Sequence, residues 1–329
     1  MNTPDADQLN DSSHGFLWGY ALSEQGGYKE LPQATSPRDS ATFSWLHFKS
    51  HSENTSSLLE QLALPDIVID QLLAPETRPR LLQIEGGHVL FLRAINKNPN
   101  ADLDDMVSLR LWITASTVVS VRQKNRGLKS VQNLRAAIID GDGPRNAGAF
   151  ICRLIDEINA IISETVSELD DQLDSIETSV HQTASAREHL SRFRMQSATI
   201  RRYLAPLRET VIQISRLNKL LENDQIFTVN EVASDLNRNI ENLDLFRERA
   251  LVLQDEIRNR IADNQGARLY VLSIISVIFL PLSFLTGVFG MNVAGLPGVE
   301  NPQAFMLLSF AMLGLAVVFI GLAKWLKWL

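Results

Sequence analysis

The chain has 329 residues, of which 45% are hydrophobic and 21% are charged. Its mean hydropathy of -0.02 excludes both a disordered tail and a membrane protein with many spans. Acidic residues outnumber basic ones by 38 to 31, which argues against a general nucleic-acid binder. The single cysteine, Cys152, excludes a cysteine-rich zinc site and favours a reducing compartment. We expect no cleaved signal peptide, because the first residues lack basic and apolar regions.

Residues 15 to 145 have the pattern of a mixed α/β domain. Alternating or β-rich stretches predict six strands, at 16–22, 43–48, 81–84, 89–95, 107–113 and 118–123. Helical patterns predict helices at 53–62, 66–73 and 128–139. Short turns at 85–87 and 114–116 predict two hairpins. The domain contains no glycine-rich phosphate loop, no GxSxG and no HExxH, so we predict a regulatory or structural domain, not an enzyme.

The chain beyond residue 145 is almost purely helical up to its apolar C-terminal part. We predict helices at 147–180, at 186–222 with a kink at Pro206, and from Val229 onward. Apolar residues recur every three or four positions from Val232 to Ile261, so the third helix is predicted to continue into the first apolar run. At 1.5 Å per residue it would be roughly 95 Å long and would need lateral support. The predicted organisation is therefore an α+β domain at 1–145, then a helical hairpin and stalk helix at 146–268.

Six carboxylates lie close together in the first of these helices, with no Lys or Arg between Arg153 and Arg187. They are Glu164, Glu168, Asp170, Asp171, Asp174 and Glu177. One interpretation is a solvated helix face. The other is an electrostatic collector that raises the cation concentration near a pore. The sequence leaves both interpretations open.

Two charge-free apolar runs, at 269–291 and 305–323, lie near the C-terminus. Each is long enough to span a bilayer, since a hydrocarbon core of roughly 30 Å needs about 20 helical residues. Three arginines precede the first run and two lysines follow the second, whereas the link carries no Lys or Arg. The positive-inside rule then places both termini in the cytoplasm. We predict spans at 269–292 and 305–323, a periplasmic loop at 293–304 and a cytoplasmic tail at 324–329.

Small or hydroxyl residues repeat along the first predicted span. They are Ser273, Ser276, Ser283, Gly287 and Gly290, with Leu280 filling the gap in the spacing. Such a row can line a pore, or it can mediate helix packing in lipid, and the row itself does not decide between the two. Two helices about 10 Å wide cannot enclose a pathway, so transport would require a ring of subunits.

The row ends at Gly290-Met291-Asn292, which precedes a short loop and one last span. This arrangement resembles the GMN signature of the CorA superfamily of divalent-cation transporters, and residues 277–284 resemble its pore helix. Further stretches are similar to the ZntB branch of zinc transporters, and they lie at 45–47, 76–80, 92–96, 119–123, 201–206 and 295–298. The resemblance covers essentially the whole chain. Some members of that branch carry GVN, whereas this chain has GMN, as magnesium-type CorA does.

The resemblance implies a funnel-shaped homopentamer in the bacterial inner membrane that imports divalent cations and has no resident cofactor. Zinc is the substrate named for the branch, and proton coupling is proposed there. Magnesium, cobalt, nickel and cadmium are further cargo ions that it suggests, and a magnesium/cobalt CorA-type channel is the alternative. The same resemblance assigns the hydrated cation to Asn292 and relates Asp255 to an aspartate of a cytoplasmic metal site.

The chemistry of the spans predicts how an ion would pass. Neither run contains Asp, Glu, His or Cys, so the soft or charged groups that hold zinc tightly are missing from both. We therefore expect the ion to pass largely hydrated. Gly287 and Ser283 would offer oxygen atoms, whereas Leu280 and Leu272 would form apolar constrictions. The predicted pore residues thus run from Leu272 through Met291 to Asn292.

Overall fold

A computed structural model of the chain describes residues 15–23, 27–34, 43–50, 52–75, 78–99, 101–123, 127–179, 183–291, 296 and 302–325. The chain divides into two compact units, Met1–Gln254 and Asp255–Leu329. The first unit contains the mixed α/β region and most of the helical region. The division predicted after residue 145 is finer than this and stays a prediction.

Within the described ranges, seven strands form one sheet. They are β1 (Phe16–Leu22), β2 (Tyr28–Glu30), β3 (Phe43–Lys49), β4 (Arg80–Ile84), β5 (Gly87–Ile95), β6 (Met106–Ile113) and β7 (Thr117–Arg122). Their order across the sheet is β2-β1-β3-β7-β6-β5-β4. Only β3 and β7 pair in parallel, and the two predicted hairpins, β4–β5 and β6–β7, are antiparallel as expected. Gly86 has a φ of 88° in the β4–β5 turn, a conformation that favours glycine.

Both faces of the sheet are covered, which explains why all seven residues of the central strand β3 are buried. One face packs on α1 (Thr55–Gln61) and α2 (Asp66–Leu73) through a core that includes Leu46 and Phe48. On the other face, the ring of Trp45 lies 5.0 Å from that of Phe150, which belongs to the long helix α4 (Ala147–Thr178). A further helix, α3 (Lys129–Ile139), links β7 to this helical part.

Four helices make up the rest of the described chain. They are α4 (Ala147–Thr178), α5 (Thr183–Ile214), α6 (Asn223–Phe289) and α7 (Ala304–Trp325). The helix α4 begins at its cap Asn146, whose side chain accepts a 2.7 Å hydrogen bond from the Ala149 N–H. Pro206 lies inside α5 without ending it. The predicted helix to residue 222 was too long, because turns follow Ile214 and α6 already begins at Asn223.

The acidic series of α4 is mostly paired with two bases from outside that helix. The Arg249 guanidinium, on α6, contacts Asp170 at 2.8 Å, Asp174 at 2.6 Å and Glu177 at 2.8 Å. Asp174 comes first among the causes that raise the pKa of Arg249 above its ordinary value. We call these four side chains the Arg249 ion-pair cluster.

Lys97, which follows β5, meets two further members of the acidic series. Its Nζ lies 2.7 Å from Glu168 and 3.9 Å from Glu164. Of the six carboxylates, Asp171 alone forms no ion pair among the described residues. The series therefore fastens α4 to its neighbours as well as facing solvent.

Replacing Arg249 by Gln should destabilise the first unit, because it leaves three neighbouring carboxylates without their shared cation. Exposed ion pairs contribute about 0.2–1 kcal/mol each, so we expect a loss of about 1–2 kcal/mol. The free energy of unfolding of the detergent-solubilised protein measures it. Arg238→Gln, which removes a single exposed pair with Asp235 on the same helix, is the matched control. Equal stability of the two variants would contradict the prediction.

His47 is a buried histidine at the centre of the sheet. Its Nδ1 lies 2.7 Å from the Ser120 hydroxyl oxygen, which also accepts a 2.7 Å hydrogen bond from Trp45 Nε1. Its ring packs 4.2 Å from that of Trp18. Burial lowers the pKa of His47 well below its ordinary value, and the nearby positive charges of Arg122 and Arg135 lower it further.

This lowered pKa makes the first unit sensitive to acid. The unfolded chain takes up a proton on His47 near the ordinary pKa of about 6.5, whereas the folded protein does not. Stability is therefore lost as the pH falls below that value. We expect tryptophan fluorescence to show a steeper loss of unfolding free energy between pH 7 and 5 in the wild type than in His47→Asn. Equal slopes in the wild type and His47→Asn would contradict the prediction.

Candidate ion pathway

Two helices of the described chain are long and apolar enough to cross a membrane, α6 in its C-terminal part and α7. These helices contain the two charge-free runs of the sequence, and the bounds of the predicted spans stay predictions. Both segments lie in the unit Asp255–Leu329, so their faces can be compared directly. The comparison depends on which residues of each helix the rest of that unit covers.

One face of each span is half-buried. On α6 this face comprises Ile274, Ile278, Pro281, Leu282, Leu285 and Val288. On α7 the half-buried residues are Ala304, Leu308, Met312, Leu315, Ala316, Phe319 and Ala323, which also lie on one side of the helix. Two spans that pack side by side are expected to cover such a row on each helix. The remaining surface of α6 is then left uncovered within this unit.

The predicted pore residues lie on the opposite, exposed face of α6. At 100° per residue they fall within an arc of about 100°. We call this arc the open face of α6, and it comprises Leu272, Ser273, Ser276, Leu280, Ser283, Gly287 and Gly290. Of the two leucines on this face, Leu280 is the more exposed, at 75% against 59% for Leu272. Met291 lies at the edge of the arc and is exposed, whereas Asn292 lies outside the described residues.

Two of the three serine hydroxyls on the open face point their protons back into the helix. Ser273 Oγ donates to the Leu269 carbonyl and Ser276 Oγ to the Leu272 carbonyl, both at 2.9 Å. A hydroxyl that donates to its own helix keeps its oxygen lone pairs free to accept. The open face therefore presents hydrogen-bond acceptors outward, which suits a hydrated cation. It provides no charged ligand that could strip the water shell.

Sequence reasoning passed over one polar group near this face. The Thr286 hydroxyl donates at 2.9 Å to the carbonyl of Ser283, one turn earlier, and it borders the open face. Thr286 follows Ser283 by three positions in the sequence, and this helical spacing could have indicated that it lies next to the row. On the half-buried face, Pro281 has no N–H to donate to the Val277 carbonyl, which therefore lacks that helical hydrogen bond.

Gly287 and Gly290 serve different purposes in the fold. A Cβ added to Gly287 would meet nothing within 4 Å, so packing inside the subunit does not require glycine there. A Cβ on Gly290 would lie 2.9 Å from the Thr286 carbonyl oxygen, which is closer than real Cβ atoms come. That same carbonyl accepts the Gly290 N–H at 2.9 Å as α6 ends. Glycine at 290 is therefore needed for the local chain path.

Asp255, the second predicted metal ligand, lies on α6 ahead of the span. Its Oδ1 is 3.5 Å from Arg258 Nη1, and both side chains are more than two-thirds exposed. Among the described residues, no group of three or more His, Cys, Asp or Glu could hold a metal ion. A metal site at Asp255 would therefore need ligands from another copy of the chain, and it stays a prediction.

The sequence matches a family model described as "CorA-like Mg2+ transporter protein" over residues 40–326. It is 36% identical to the divalent cation transporter CmaX of Pseudomonas aeruginosa, over 96% of this chain and 97% of the relative. It is 32% identical to the zinc transport protein ZntB of Yersinia enterocolitica, over 94% of each chain.

A solved structure agrees with these matches. The structure of the full-length CmaX protein superimposes with a TM-score of 0.80 at 35% identity, covering 97% of this chain and all of that one. The resemblance inferred from the GMN motif is thereby confirmed at the level of family. The chain belongs to the CorA-like family of transporter proteins.

Proposed function

We propose that the chain is one subunit of a ring that conducts divalent cations across the inner membrane, with zinc as its cargo. The observation that carries the proposal is the open face of α6, a row of small and hydroxyl residues that leads to Gly290 and lies opposite the half-buried face. A single subunit cannot enclose a pathway with two spans. Copies arranged around an axis, five in the homopentamer that we propose, would bring their open faces together around one pore.

The choice of cargo is supported by the relatives. The ZntB relative is named as a zinc transport protein and the CmaX relative as a divalent cation transporter. The magnesium/cobalt channel is the second candidate, favoured by the GMN motif and by the family model, whose description names Mg2+. In either case the ion is the cargo of the protein and not a resident cofactor.

In the proposed mechanism the cation keeps most of its water. A ring of Asn292 amides at the outer mouth accepts hydrogen bonds from that water and holds the ion in position. Further along the pathway, the Ser283 hydroxyl oxygen and the Gly287 carbonyl oxygen accept hydrogen bonds from the water shell in the same way. Leu280 and Leu272 form two apolar constrictions, which close the path when they exclude water.

The membrane potential can drive this movement without a nucleotide. An inside-negative potential favours the inward movement of a divalent cation by about 4.6 kcal/mol per 100 mV, which is twice the value for a single charge. We place both termini in the cytoplasm, because Arg258, Arg260 and Arg268 precede the first span and Lys324 follows the second. Neither apolar run offers an Asp, Glu or His as a proton carrier, so coupling to protons would have to use groups outside them.

Flux measurements in proteoliposomes test the function and the substrate together. We expect zinc influx in the wild type and none in Asn292→Ala, while light scattering shows the same oligomer for both. Asn301→Ala, in the predicted outer loop that follows Asn292, is the matched control and should keep wild-type flux. Magnesium and cobalt influx without zinc influx would instead favour the second candidate. Wild-type flux in Asn292→Ala would contradict the pore mechanism.

Leu280→Ser should raise resting cation flux, because a hydroxyl at the proposed constriction stabilises water there. We expect an increase of several-fold over the wild type, measured without a gating stimulus in the same vesicles. Leu313→Ser makes the same change on an exposed position of α7 and should leave resting flux unchanged. Unchanged flux in Leu280→Ser would mean that Leu280 does not restrict the path.

A further inference from the structure

A cavity of about 380 Å³ lies in the first unit, where α4 and α5 pass side by side. Its walls come from α4 at 172–176, from α5 at 189–196 and from 101–103 in the loop between β5 and β6. Small-molecule sites have volumes of about 300–1,000 Å³, so this cavity has the size for a small metabolite. The open face of α6 belongs to the second unit, so the cavity is no part of the proposed ion pathway.

The base of the cavity is apolar and well packed. Ile176 on α4 and Phe193 on α5 are almost fully buried. The ring of Phe193 also packs on Phe246 of α6, with 6.3 Å between the ring centroids. These contacts fix the packing of the helices beneath the cavity. Polar side chains above such a base are held in place, as they are in small-molecule sites.

One polar side chain reaches this base without a partner. Gln196 lines the cavity and is only 8% exposed, yet its amide forms no hydrogen bond with any described residue. The other two buried amides of the described helical region both donate hydrogen bonds, Asn159 to Asp235 at 3.1 Å and Asn239 to Ser163 at 3.0 Å. Because buried amides nearly always have a partner, the partner of Gln196 must come from the content of the cavity.

Further polar groups come from one face of each helix. On α5, His189 and Arg192 precede Gln196 by seven and four positions, so the three side chains lie within about 60° of one another around the helix. On α4, Gln172 and Ser175 are three positions apart, and both are exposed. Each of these five side chains can donate a hydrogen bond, so the cavity is rich in donors for the oxygen atoms of an anion.

Arg192 supplies the positive charge of the cavity. Its Nη2 is 3.4 Å from Glu188 Oε1, and the two side chains are 61% and 75% exposed. Such an exposed ion pair is weak, and it engages one of the five N–H groups of the guanidinium. The other N–H groups can bind a carboxylate or a phosphate through two parallel hydrogen bonds.

A carboxylate on the loop wall restricts the kind of anion that fits. Asp102 is the one acidic residue among those that line the cavity, and it forms no ion pair among the described residues. Its charge repels a second anionic group and attracts an ammonium group. The charges of Arg192 and Asp102 therefore match a molecule that has one oxyanion group and one ammonium group.

We propose that the cavity binds a small zwitterion, whose carboxylate or phosphate group lies on Arg192 and His189 and whose ammonium group lies on Asp102. The Gln196 amide hydrogen-bonds the same molecule at the base of the cavity. Bound in this way, the zwitterion connects α4, α5 and the loop between β5 and β6. Its binding therefore stabilises the first unit, whichever cation the protein transports.

Thermal unfolding of the full-length, detergent-solubilised protein tests the site with two probes. L-Glutamine is the carboxylate zwitterion, and O-phosphoethanolamine is the phosphate zwitterion. At ten times its dissociation constant, a bound probe should raise the Tm of the tryptophan fluorescence transition by about 3–6 °C. The probe with the larger saturable rise identifies the preferred oxyanion. Propylamine, which has no oxyanion group, should give no rise, and the absence of a saturable rise with both zwitterions would overturn the proposal.

Replacing Gln196 by Leu separates binding from a structural role. The variant removes an amide without a partner and keeps the apolar packing, so it should unfold at the same or a higher temperature than the wild type. Its affinity for the probe should nevertheless fall about 2- to 10-fold, because one neutral hydrogen bond is lost. Unchanged affinity would show that the probe does not reach the base of the cavity.

Two charge variants locate the ends of the zwitterion. Arg192→Gln should weaken binding about 10- to 100-fold, since it removes a charged hydrogen bond, whereas Arg187→Gln, on the same helix but outside the cavity, should not. Asp102→Asn should weaken the binding of both zwitterions but not that of inorganic phosphate, and Asp104→Asn is its control. Wild-type affinity in Arg192→Gln and Asp102→Asn would overturn the proposal, because the probe would then bind elsewhere on the protein.

Discussion

A helix in hydrocarbon must satisfy its backbone hydrogen bonds internally, and this constraint governs everything in the membrane part of the chain. The spans of α6 and α7 meet it with helices that contain no charged side chain between Leu269 and Ala323 in their described parts. Only side-chain oxygens and a few carbonyls can then offer polarity to a passing ion. In the proposed pathway, the hydroxyls of Ser273 and Ser276 and the backbone at Gly287 and Gly290 are the places where α6 would do so.

In the helical part of the first unit, ion pairs supplement an apolar core to which α4 contributes Leu154, Ile158, Ile162, Leu169 and Leu173. The sheet holds together through a core covered on both faces, whereas α4 meets α6 and the strand end at Lys97 through ion pairs as well. One guanidinium that contacts three carboxylates stabilises the packing of α4 on α6, because each contact holds the guanidinium in position for the other two. The excess of negative charge that remains on α4 belongs to carboxylates at the protein surface.

The fold could be predicted where apolar residues repeat with a regular spacing along the sequence. The strands were located to within one or two residues, because apolar runs bounded by turn residues mark them. The strand β2 was missed, since Tyr28–Glu30 is exposed and has no apolar alternation. The break between α5 and α6 was predicted too late in the chain, at 223–228, because Leu217, Leu220 and Leu221 keep an apolar spacing through the turns at 215–222.

The site was predictable in one respect and not in another. The row from Ser273 to Gly290 stood out because small and hydroxyl residues are rare in an otherwise apolar run. The half-buried face opposite it could not be predicted, since Ile274 and Ile278 look like every other apolar residue in a span that is apolar all round. The ion pairs of Arg249 were equally invisible, as its partners lie 72 to 79 residues earlier in the chain.

The ligand chemistry of the spans limits where ion selectivity can come from. Zinc is distinguished from magnesium chiefly by its affinity for nitrogen and sulfur ligands, and neither apolar run contains His or Cys. Oxygen acceptors that contact the water shell respond to charge and hydrated size, which zinc and magnesium share closely. In the proposed pathway, a preference for zinc must therefore arise outside the two spans. Relatives named for zinc and for divalent cations in general are what such an oxygen-lined path leads one to expect.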